Sequence, residues 1–240
     1  MHTRAWIGND IVDLAEPGVA GKEHDRRFMD RVFTPEERLR ILDAAAPTLA
    51  LWRTWTAKET AFKIASKLRE GVIFAHRRFE VGPDPNGAVD TGGPSAPASW
   101  VSVRFEDLEM RVRWETALDY IHCIGQLARR GSEIAPADPD PWRGPRRLLA
   151  GIVRDNQGLG GALTSAERAS VHSTASERAR LLARQLMARW DLQGAEIVRM
   201  WRAWRWSPPV VARLGQPVVG FDVSLSHDGR FVAAAVVGPV

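Results

Sequence analysis

One stretch of the sequence places a carboxylate between two lysines at helical spacing. In Lys58-Glu59-x-x-x-Lys63, Glu59 and Lys63 are four residues apart, so on a helix they lie on the same face. From spacing alone, an exposed ion pair is the commoner meaning of this pattern. The neighbours Trp55 and Phe62 are apolar, however. A carboxylate at the edge of an apolar core is well placed to bind a metal ion or to accept a proton.

A second candidate group is the pair of aspartates in Ile7-Gly8-Asn9-Asp10-Ile11-Val12-Asp13. An aspartate at the end of an apolar strand can bind a hard cation such as Mg²⁺, which takes one or two carboxylates together with phosphate oxygens and water. The alternative is that Asp10 caps a turn, which is the commoner role of such a residue taken alone. The sequence leaves both interpretations open.

The third candidate is Ser224-Leu225-Ser226-His227, near the carboxyl end of the chain. Strand alternation places Ser224 and Ser226 on one face, and Gly229 permits a turn after His227. A serine and a histidine at the end of a strand can contact a phosphate. A hairpin turn with a partly exposed histidine is an equally good interpretation.

Lysine usage in the chain singles out the first candidate. The sequence contains 33 Lys and Arg residues, of which only four are lysine. Lys58, Lys63 and Lys67 lie within ten residues of one another. Lysine is a compact charge whose pKa shifts readily, whereas arginine is effectively always protonated. The cluster therefore indicates chemistry, although Lys67 can also be a solvated helix position.

Composition limits the class of protein. The 240 residues carry a net charge of +4, with 45% hydrophobic and 26% charged residues, as is ordinary for globular proteins. No apolar run is long enough to span a membrane. The single cysteine, Cys123, cannot form an internal disulfide, and no apolar signal-peptide core is present. We therefore expect a cytoplasmic protein, and the mild positive charge suits an acidic or phosphorylated partner.

Hydrophobic periodicity and turn residues predict helices followed by antiparallel strands, twice along the chain. The predicted helices cover residues 25–32, 34–46, 48–68, 148–153, a turn from 164 and 176–190. The predicted strands cover residues 6–14, 77–81, 100–105, 110–114, 120–128, 197–206, 218–219, 221–226 and 230–237. A mobile loop is expected over 82–99 and a proline-rich connector over 131–146.

Taken together, these motifs resemble those of 4′-phosphopantetheinyl transferases. The resemblance rests on Gly8-Asn9-Asp10-Ile11-Val12, Phe33-Thr34-Pro35-Glu36-Glu37-Arg38, Trp55 through Lys63, and Ser224-Leu225-Ser226-His227. The W-x-x-K-E-x-x-x-K helix is the most specific of the four. The resemblance covers most of residues 6–81 and, more loosely, 160–237.

The resemblance implies an α+β fold, a pseudodimer of two similar halves with helices packed on a small antiparallel sheet. In the long, surfactin-synthetase-activating type the S-x-S-H half precedes the half with the D and K-E motifs, and here the order is reversed. The short, holo-acyl-carrier-protein-synthase type has this order in about half the length. We therefore expect a first half over 1–130, a connector over 131–160 and a second half over 161–240, with the halves permuted.

The resemblance also implies a role for each site residue. Asp10 and Glu59 would ligate Mg²⁺, and Glu59 would accept the proton of the carrier protein's serine, directly or through a water. Lys63 would stabilise or protonate the departing 3′,5′-ADP. Coenzyme A, the substrate, would be bound by Ser226, His227, Lys58, Arg180 and Arg184.

Two positions depart from the long type's pattern. Val12 stands where a second carboxylate is usual, so that a water or Asp13 would complete the metal's ligands. Gln216 stands where the long type often has lysine, which weakens one phosphate contact. The arginine assignments rest on helix spacing.

The resemblance implies an acidic apo acyl or peptidyl carrier protein as partner, with no nucleic acid and no membrane, and a monomer. Two rival functions remain at this point. One is a metal-dependent phosphotransferase that acts on another nucleotide. The other is a non-catalytic binder of coenzyme A or RNA that uses arginine and tryptophan for phosphate and stacking contacts. The pathway of the carrier protein is left open.

Overall fold

The computed structural model describes residues 6–84, 100–130, 133–134, 146–154, 157–192, 194–202 and 205–239. The predicted loop over 82–99 lies outside these residues from position 85 onward, as does most of the predicted connector. Among the described residues, no helix is long and apolar enough to cross a membrane.

The first half combines three helices with one antiparallel sheet. The helices are α1 (Arg26–Val32), α2 (Pro35–Leu42) and α3 (Pro47–Leu68). The strands are β1 (Ile7–Asp13), β2 (Glu80–Val81), β3 (Val101–Phe105), β4 (Leu108–Thr116), β5 (Tyr120–Arg130) and β6 (Glu133–Ile134). The sheet order is β1-β5-β4-β3-β2, and β6 pairs with β5.

The second half repeats this combination. Its helices are α4 (Ser165–Arg168) and α5 (Thr174–Met187). Its strands are β7 (Arg146–Arg154), β8 (Ala195–Val198), β9 (Trp201–Arg202), β10 (Arg205–Trp206), β11 (Val210–Arg213), β12 (Gln216–Pro217), β13 (Asp222–Asp228) and β14 (Phe231–Pro239). They form the antiparallel sheets β13-β14-β7 and β12-β11-β8 and the hairpin β9-β10. The α+β class predicted from the sequence is confirmed.

The helix predicted over residues 148–153 is wrong. That segment is β7, which pairs along its full length with β14. Leu148, Leu149, Ile152 and Val153 form a short apolar run that suits either a helix or a buried strand, and periodicity alone does not separate the two. Pairing with β14 decides the outcome. The last part of the predicted connector therefore contributes a strand to the second sheet.

Helix α3 lies close to the first sheet because two glycines face it. Gly8 and Gly125 are directly paired between β1 and β5. A Cβ atom added at Gly8 would lie 2.3 Å from the carbonyl oxygen of Thr60, and one at Gly125 would lie 2.8 Å from the Thr60 side chain. Only glycine permits this approach, which brings the middle of α3 against β1.

Strand β1 of the first half lies at the boundary with the second half. One of its faces meets α3, while Ile7 and Ile11 on the other face join clusters with residues of β14, among them Ala235 and Phe231. The two halves therefore meet along β1, and any cleft beside this strand has walls from both.

Candidate active site

A cleft of about 600 Å³ opens between the two halves. Its walls include five residues that the sequence predicted as site residues, namely Asp10, Glu59, Lys63, Ser226 and His227. The first three come from β1 and α3, and the last two come from β13. The chain thus brings together side chains that are more than 200 residues apart in the sequence.

Lys63 is bound to β1 and not to Glu59. Its Nζ donates to the carbonyl oxygen of Asn9 at 2.8 Å and to Oδ1 of Asp10 at 2.9 Å. The ion pair that helical spacing suggested between Glu59 and Lys63 is therefore replaced by a pair between Lys63 and Asp10. An ammonium group has three N–H donors, so one remains for a group in the cleft.

Glu59 is a carboxylate with a strongly altered acidity. Burial raises its pKa to about 7, the negative charge of Asp10 acts in the same direction, and Lys63 opposes both. Among the described residues, no hydrogen bond or ion pair to the Glu59 carboxylate is present. A carboxylate that titrates near neutral pH and is free of partners suits a general base.

Asp10 and Glu59 provide the donor set for a metal ion. Both carboxylates face one cleft, and the negative charge of Asp10 raises the pKa of Glu59, so a divalent cation between them would relieve this repulsion. Within the described part of the chain, no group of three or more His, Cys, Asp or Glu side chains could hold a metal. The two carboxylates fit Mg²⁺ only together with oxygens from elsewhere, since this ion takes one or two carboxylates when substrate phosphate and water supply the rest.

Asp13 is not available to complete the metal's ligands. Its carboxylate accepts hydrogen bonds from Nε and Nη2 of Arg230 at 2.8 and 2.7 Å and from the backbone N–H of Ala15. These bonds with Arg230 lower the pKa of Asp13 to about 2. Strand alternation also places Asp13 on the opposite face of β1 from Asp10. The option that Asp13 reaches the metal is therefore wrong, and Val12 leaves that position without a protein ligand.

Ser226 and His227 reach the cleft in different ways. The Ser226 hydroxyl is buried and bound to β1, because it accepts the Ile11 N–H at 3.1 Å and donates to Oδ1 of Asp10 at 2.9 Å. The His227 side chain reaches solvent. The cleft walls around its ring remove part of its hydration, and this effect and the charge of Lys63 both lower its pKa. His227 is the one of the two that is free to contact a phosphate.

A basic compartment of about 650 Å³ continues from the same cleft. It shares Lys63, Leu225 and His227 with the first compartment, and it adds Arg180 and Arg199. One end of the cleft is thus lined by carboxylates and the other by cations. This polarity suits a ligand that carries phosphates at one end and a metal-bound group at the other.

A family model matches residues 7–118 of the chain, and its description is the 4′-phosphopantetheinyl transferase superfamily. The holo-[acyl-carrier-protein] synthase of Methylobacterium sp. (strain 4-46) is 36% identical over 94 residues, which are 38% of this chain and 68% of that protein. The chain belongs to the 4′-phosphopantetheinyl transferase superfamily. The family predicted from the sequence is therefore confirmed, and with it the prediction of an enzyme of this class.

Other similar proteins carry related names. The holo-[acyl-carrier-protein] synthase of Protochlamydia amoebophila (strain UWE25) is 32% identical over 82 residues, which are 34% of this chain and 66% of that protein. The chain thus spans about two thirds of the length of these relatives.

Two solved structures are also similar. They are holo-[acyl-carrier-protein] synthase from Neisseria meningitidis (18% identity, TM-score 0.36) and acyl carrier protein synthase from Mycobacterium tuberculosis (23%, 0.34). They cover 51% and 52% of this chain and 96% of each of those chains.

Lys58 does not bind coenzyme A in this phosphopantetheinyl transferase, and that prediction is wrong. Its side chain is fully buried. Its ammonium group donates to the carboxylate of Glu37 and to the carbonyl oxygens of His76 and Phe79. Burial lowers the pKa of Lys58, and Glu37 opposes that effect. Lys58 therefore fixes α3 to α2 and to the segment from His76 to Phe79 that precedes β2.

The structure places Arg184 away from the cleft, so its predicted contact with coenzyme A stays a prediction. Its Nη1 donates to the carbonyl oxygen of Ala162 and to Glu167 at 3.3 Å, and it lines a separate hollow beyond the end of α5. Helix spacing put Arg180 and Arg184 on one face, but only Arg180 borders the basic compartment.

Arg180 and Arg199 supply positive charge to that compartment. Arg180 is almost fully buried, and its guanidinium donates to the hydroxyl and carbonyl oxygens of Ser170 and Ser176. Among the described residues, its Nε has no hydrogen-bond partner. Arg199 was missed from the sequence, because its neighbours 194–202 give no phosphate-binding pattern and only the fold brings it opposite α3.

Lys67 is also structural. It donates to the carbonyl oxygens of Ile7 and Val223 and to Asp222 at 2.9 Å, so it links α3, β1 and β13. It is almost fully buried, and the alternative of a solvated helix position is wrong. Of the three clustered lysines, Lys63 is the one with a proton available to the cleft.

Proposed function

We propose that the chain transfers the 4′-phosphopantetheine group of coenzyme A to a serine hydroxyl of an apo acyl or peptidyl carrier protein. The other product is 3′,5′-ADP. The observation that supports this most directly is the cleft in which Glu59, with a pKa raised to about 7, lies beside Asp10 and Lys63 and next to a compartment lined by cations.

In this proposal Glu59 is the general base. Its carboxylate faces the cleft and has no hydrogen-bond partner among the described residues, so in its ionised form it can accept a proton from a hydroxyl bound there. It removes the proton from the carrier protein's serine as the serine oxygen forms a bond to the β-phosphorus of coenzyme A. The bond between that phosphorus and the bridging oxygen breaks, and 3′,5′-ADP departs.

Lys63 stabilises the charge that develops on the departing phosphate. Asn9 and Asp10 hold its ammonium group at the wall of the cleft, so its orientation is set before the substrate binds. When bound to Asp10 and Glu59, Mg²⁺ would supply positive charge at the pyrophosphate. Arg199 and His227 would hold the remaining phosphates from the second half, and the buried charge of Arg180 would add to the positive potential beside them.

We also propose a monomer in the cytoplasm with an acidic carrier protein as partner. Both walls of the cleft come from one chain, which supports the monomer, and size-exclusion chromatography should give about the 26.7 kDa of a single chain. An obligate dimer would contradict it.

The function is tested with purified protein, coenzyme A, Mg²⁺ and a panel of apo carrier proteins. Mass spectrometry should show a carrier that is about 340 Da heavier, together with 3′,5′-ADP. A phosphate transferred to another acceptor would favour the rival phosphotransferase. Coenzyme A binding without any modified carrier across diverse carriers would favour a non-catalytic binder, and either result would overturn the proposal.

A further inference from the structure

Four side chains of β13 cover the free edge of β1. Asp222, Ser224, Ser226 and Asp228 occupy alternate positions and accept the four backbone N–H groups of alternate β1 residues. The bonds run from Ile7 to Asp222, Asn9 to Ser224, Ile11 to Ser226 and Asp13 to Asp228, at 2.8, 2.9, 3.1 and 2.8 Å. We call these four residues the β13 ladder.

The β13 ladder takes the place of a neighbouring strand. β1 pairs with β5 on one side only, and the N–H groups on its other side need acceptors because they are buried. Side chains on β13 repeat every two residues, as do the outward N–H groups of β1. The two strands therefore fit in register, and the position of β1 depends on the second half.

Ser226 differs from the rest of the β13 ladder because its hydroxyl also touches the active site. It accepts the Ile11 N–H and donates its single proton to Oδ1 of Asp10. Lys63 donates to the same oxygen. Among the described residues, Oδ2 of Asp10 receives no hydrogen bond, so it is the oxygen available to a cation.

We propose that Ser226 is a positioning residue, which orients the Asp10 carboxylate for the metal and does not itself bind a coenzyme A phosphate. The inference rests on the proposed function, because it assigns Asp10 to the metal. The Ser226 hydroxyl already accepts the Ile11 N–H and donates its proton to Asp10, and both residues lie on β1. A phosphate ligand would need a free donor proton. Ser226 thereby makes the orientation of a first-half carboxylate depend on a second-half strand.

Ser224 provides a matched control for this inference. Its hydroxyl accepts the Asn9 N–H as Ser226 accepts that of Ile11, and both serines are buried. Among the described residues, Ser224 makes no hydrogen bond to Asp10. The variants Ser224→Ala and Ser226→Ala each remove one ladder hydrogen bond, and only the second removes a bond to the carboxylate.

The test compares these two variants with the unchanged protein. Urea unfolding should show a loss in both variants from the missing ladder hydrogen bond, and a somewhat larger loss in Ser226→Ala, which also loses its bond to Asp10. Mn²⁺ binding, followed by electron paramagnetic resonance with coenzyme A present, should weaken about tenfold in Ser226→Ala and less than about twofold in Ser224→Ala. In the transfer assay, Ser226→Ala should need more Mg²⁺ for half-maximal rate. At saturating Mg²⁺ its KM for coenzyme A should remain within about twofold of the unchanged protein.

Two outcomes would overturn the inference. One is equal Mn²⁺ affinity in the two variants, which would reduce Ser226 to another member of the ladder. The other is a KM for coenzyme A that rises severalfold in Ser226→Ala at saturating Mg²⁺, which would make it a phosphate ligand. The Mn²⁺ measurement does not require turnover. An inactive unchanged protein would therefore count against the proposed function while the comparison of the variants still decides the role of Ser226.

Discussion

The two halves of the molecule build the same internal clamp from different sequences. In the first half the Thr34 hydroxyl caps α2, and the Thr34 N–H donates to the carboxylate of Glu37. In the second half Thr164 and Glu167 do the same at the start of α4. Both glutamates are buried, although capping-box glutamates usually face solvent.

Each buried glutamate also binds a strand and a cation. Glu37 accepts the Val81 N–H at 2.8 Å and pairs with Lys58 of α3. Glu167 accepts the Ile197 N–H at 2.9 Å and pairs with Arg184 of α5. The cation follows the glutamate by 21 residues in one half and by 17 in the other, so the repeat is not evident as residue identity.

The clamps give a residue correspondence that separates scaffold from chemistry. If Lys58 corresponds to Arg184, then Glu59 corresponds to Gln185. Gly8 faces Thr60 of α3, and Gly151 of β7 faces Leu182 and Leu186 of α5, so the two glycines correspond in this alignment, although the approach at Gly151 is looser. Asp10 then corresponds to Val153, two residues after each glycine. Within the described residues, this correspondence matches the two clamps and places no second pair of carboxylates opposite Asp10 and Glu59.

The largest expected effect tests where the chemistry lies. Glu59→Gln removes the proposed base and should lower the transfer rate by about 10²- to 10⁴-fold without unfolding the protein. Gln185→Ala, at the corresponding position of α5, should leave the rate within about twofold. Both are measured by the mass of the carrier protein and by circular dichroism. A comparable loss in the two variants would contradict the assignment of the chemistry to the first half.

The next effect tests the two clamps. Lys58→Met leaves the carboxylate of Glu37 buried and unpaired and should lower the free energy of unfolding by about 3–5 kcal/mol. Arg184 is 34% exposed, so solvent screens its pair with Glu167 and Arg184→Met should cost about 1 kcal/mol. Urea denaturation measures both. If Lys58→Met kept full stability and instead raised the KM for coenzyme A, Lys58 would be a ligand after all.

The grouping of Asp10, Glu59 and Lys63 at one cleft could be predicted from the sequence, because these residues lie in short motifs. Asp10, Glu59 and Lys63 come from a strand and a helix whose own periodicity places them. The roles of Lys58 and Arg184 could not be predicted this way. Helical spacing shows which side chains share a face of a helix. It does not show that Lys58 pairs with Glu37 and Arg184 with Glu167, because each glutamate lies in the capping box of another helix.

The fold was predicted less evenly. Long periodic helices such as α3 and α5 were predicted correctly. Strand β7 was not, because its short apolar run suits a helix as well as a strand, and its structure depends on pairing with the distant β14. The same reason hid the β13 ladder. Alternation placed Ser224 and Ser226 on one face of their strand. Their partner, the free edge of β1, lies opposite them only once the two halves have packed together.

The third prediction concerns a buried histidine that distinguishes the sheets. His122 pairs with Ile11 across β5 and β1, and the corresponding position in the second sheet is Phe231 opposite Arg154. His122 is fully buried, its Nε2 contacts Asn9, and burial lowers its pKa from 6.5 to about 3. Between these values the unfolded chain binds a proton that the folded chain does not.

Stability from His122 should therefore be complete above pH about 6.5 and fall toward pH 3. The slope is up to about 1.4 kcal/mol per pH unit, or about 2 kcal/mol by pH 5. His122→Gln should flatten the dependence of the unfolding free energy on pH between 7 and 5, while His24→Gln, which alters an exposed ring, should not. An unchanged slope in His122→Gln would show that acid sensitivity arises elsewhere.

The smallest expected effect tests whether the two capping boxes are equivalent. The threonine hydroxyl accepts the glutamate N–H at 3.2 Å in both halves, and the return bond measures 2.8 Å for Glu37 and 2.9 Å for Glu167. Thr34→Ala and Thr164→Ala should each lower the free energy of unfolding by about 1 kcal/mol, because each leaves one helix N–H without its acceptor. Thr→Ser at either position keeps the hydroxyl and should cost less than half as much. Because α4 has four residues and α2 has eight, a loss confined to Thr164→Ala would mean that only the shorter helix depends on its cap. The two clamps would then be alike in geometry but not in energy.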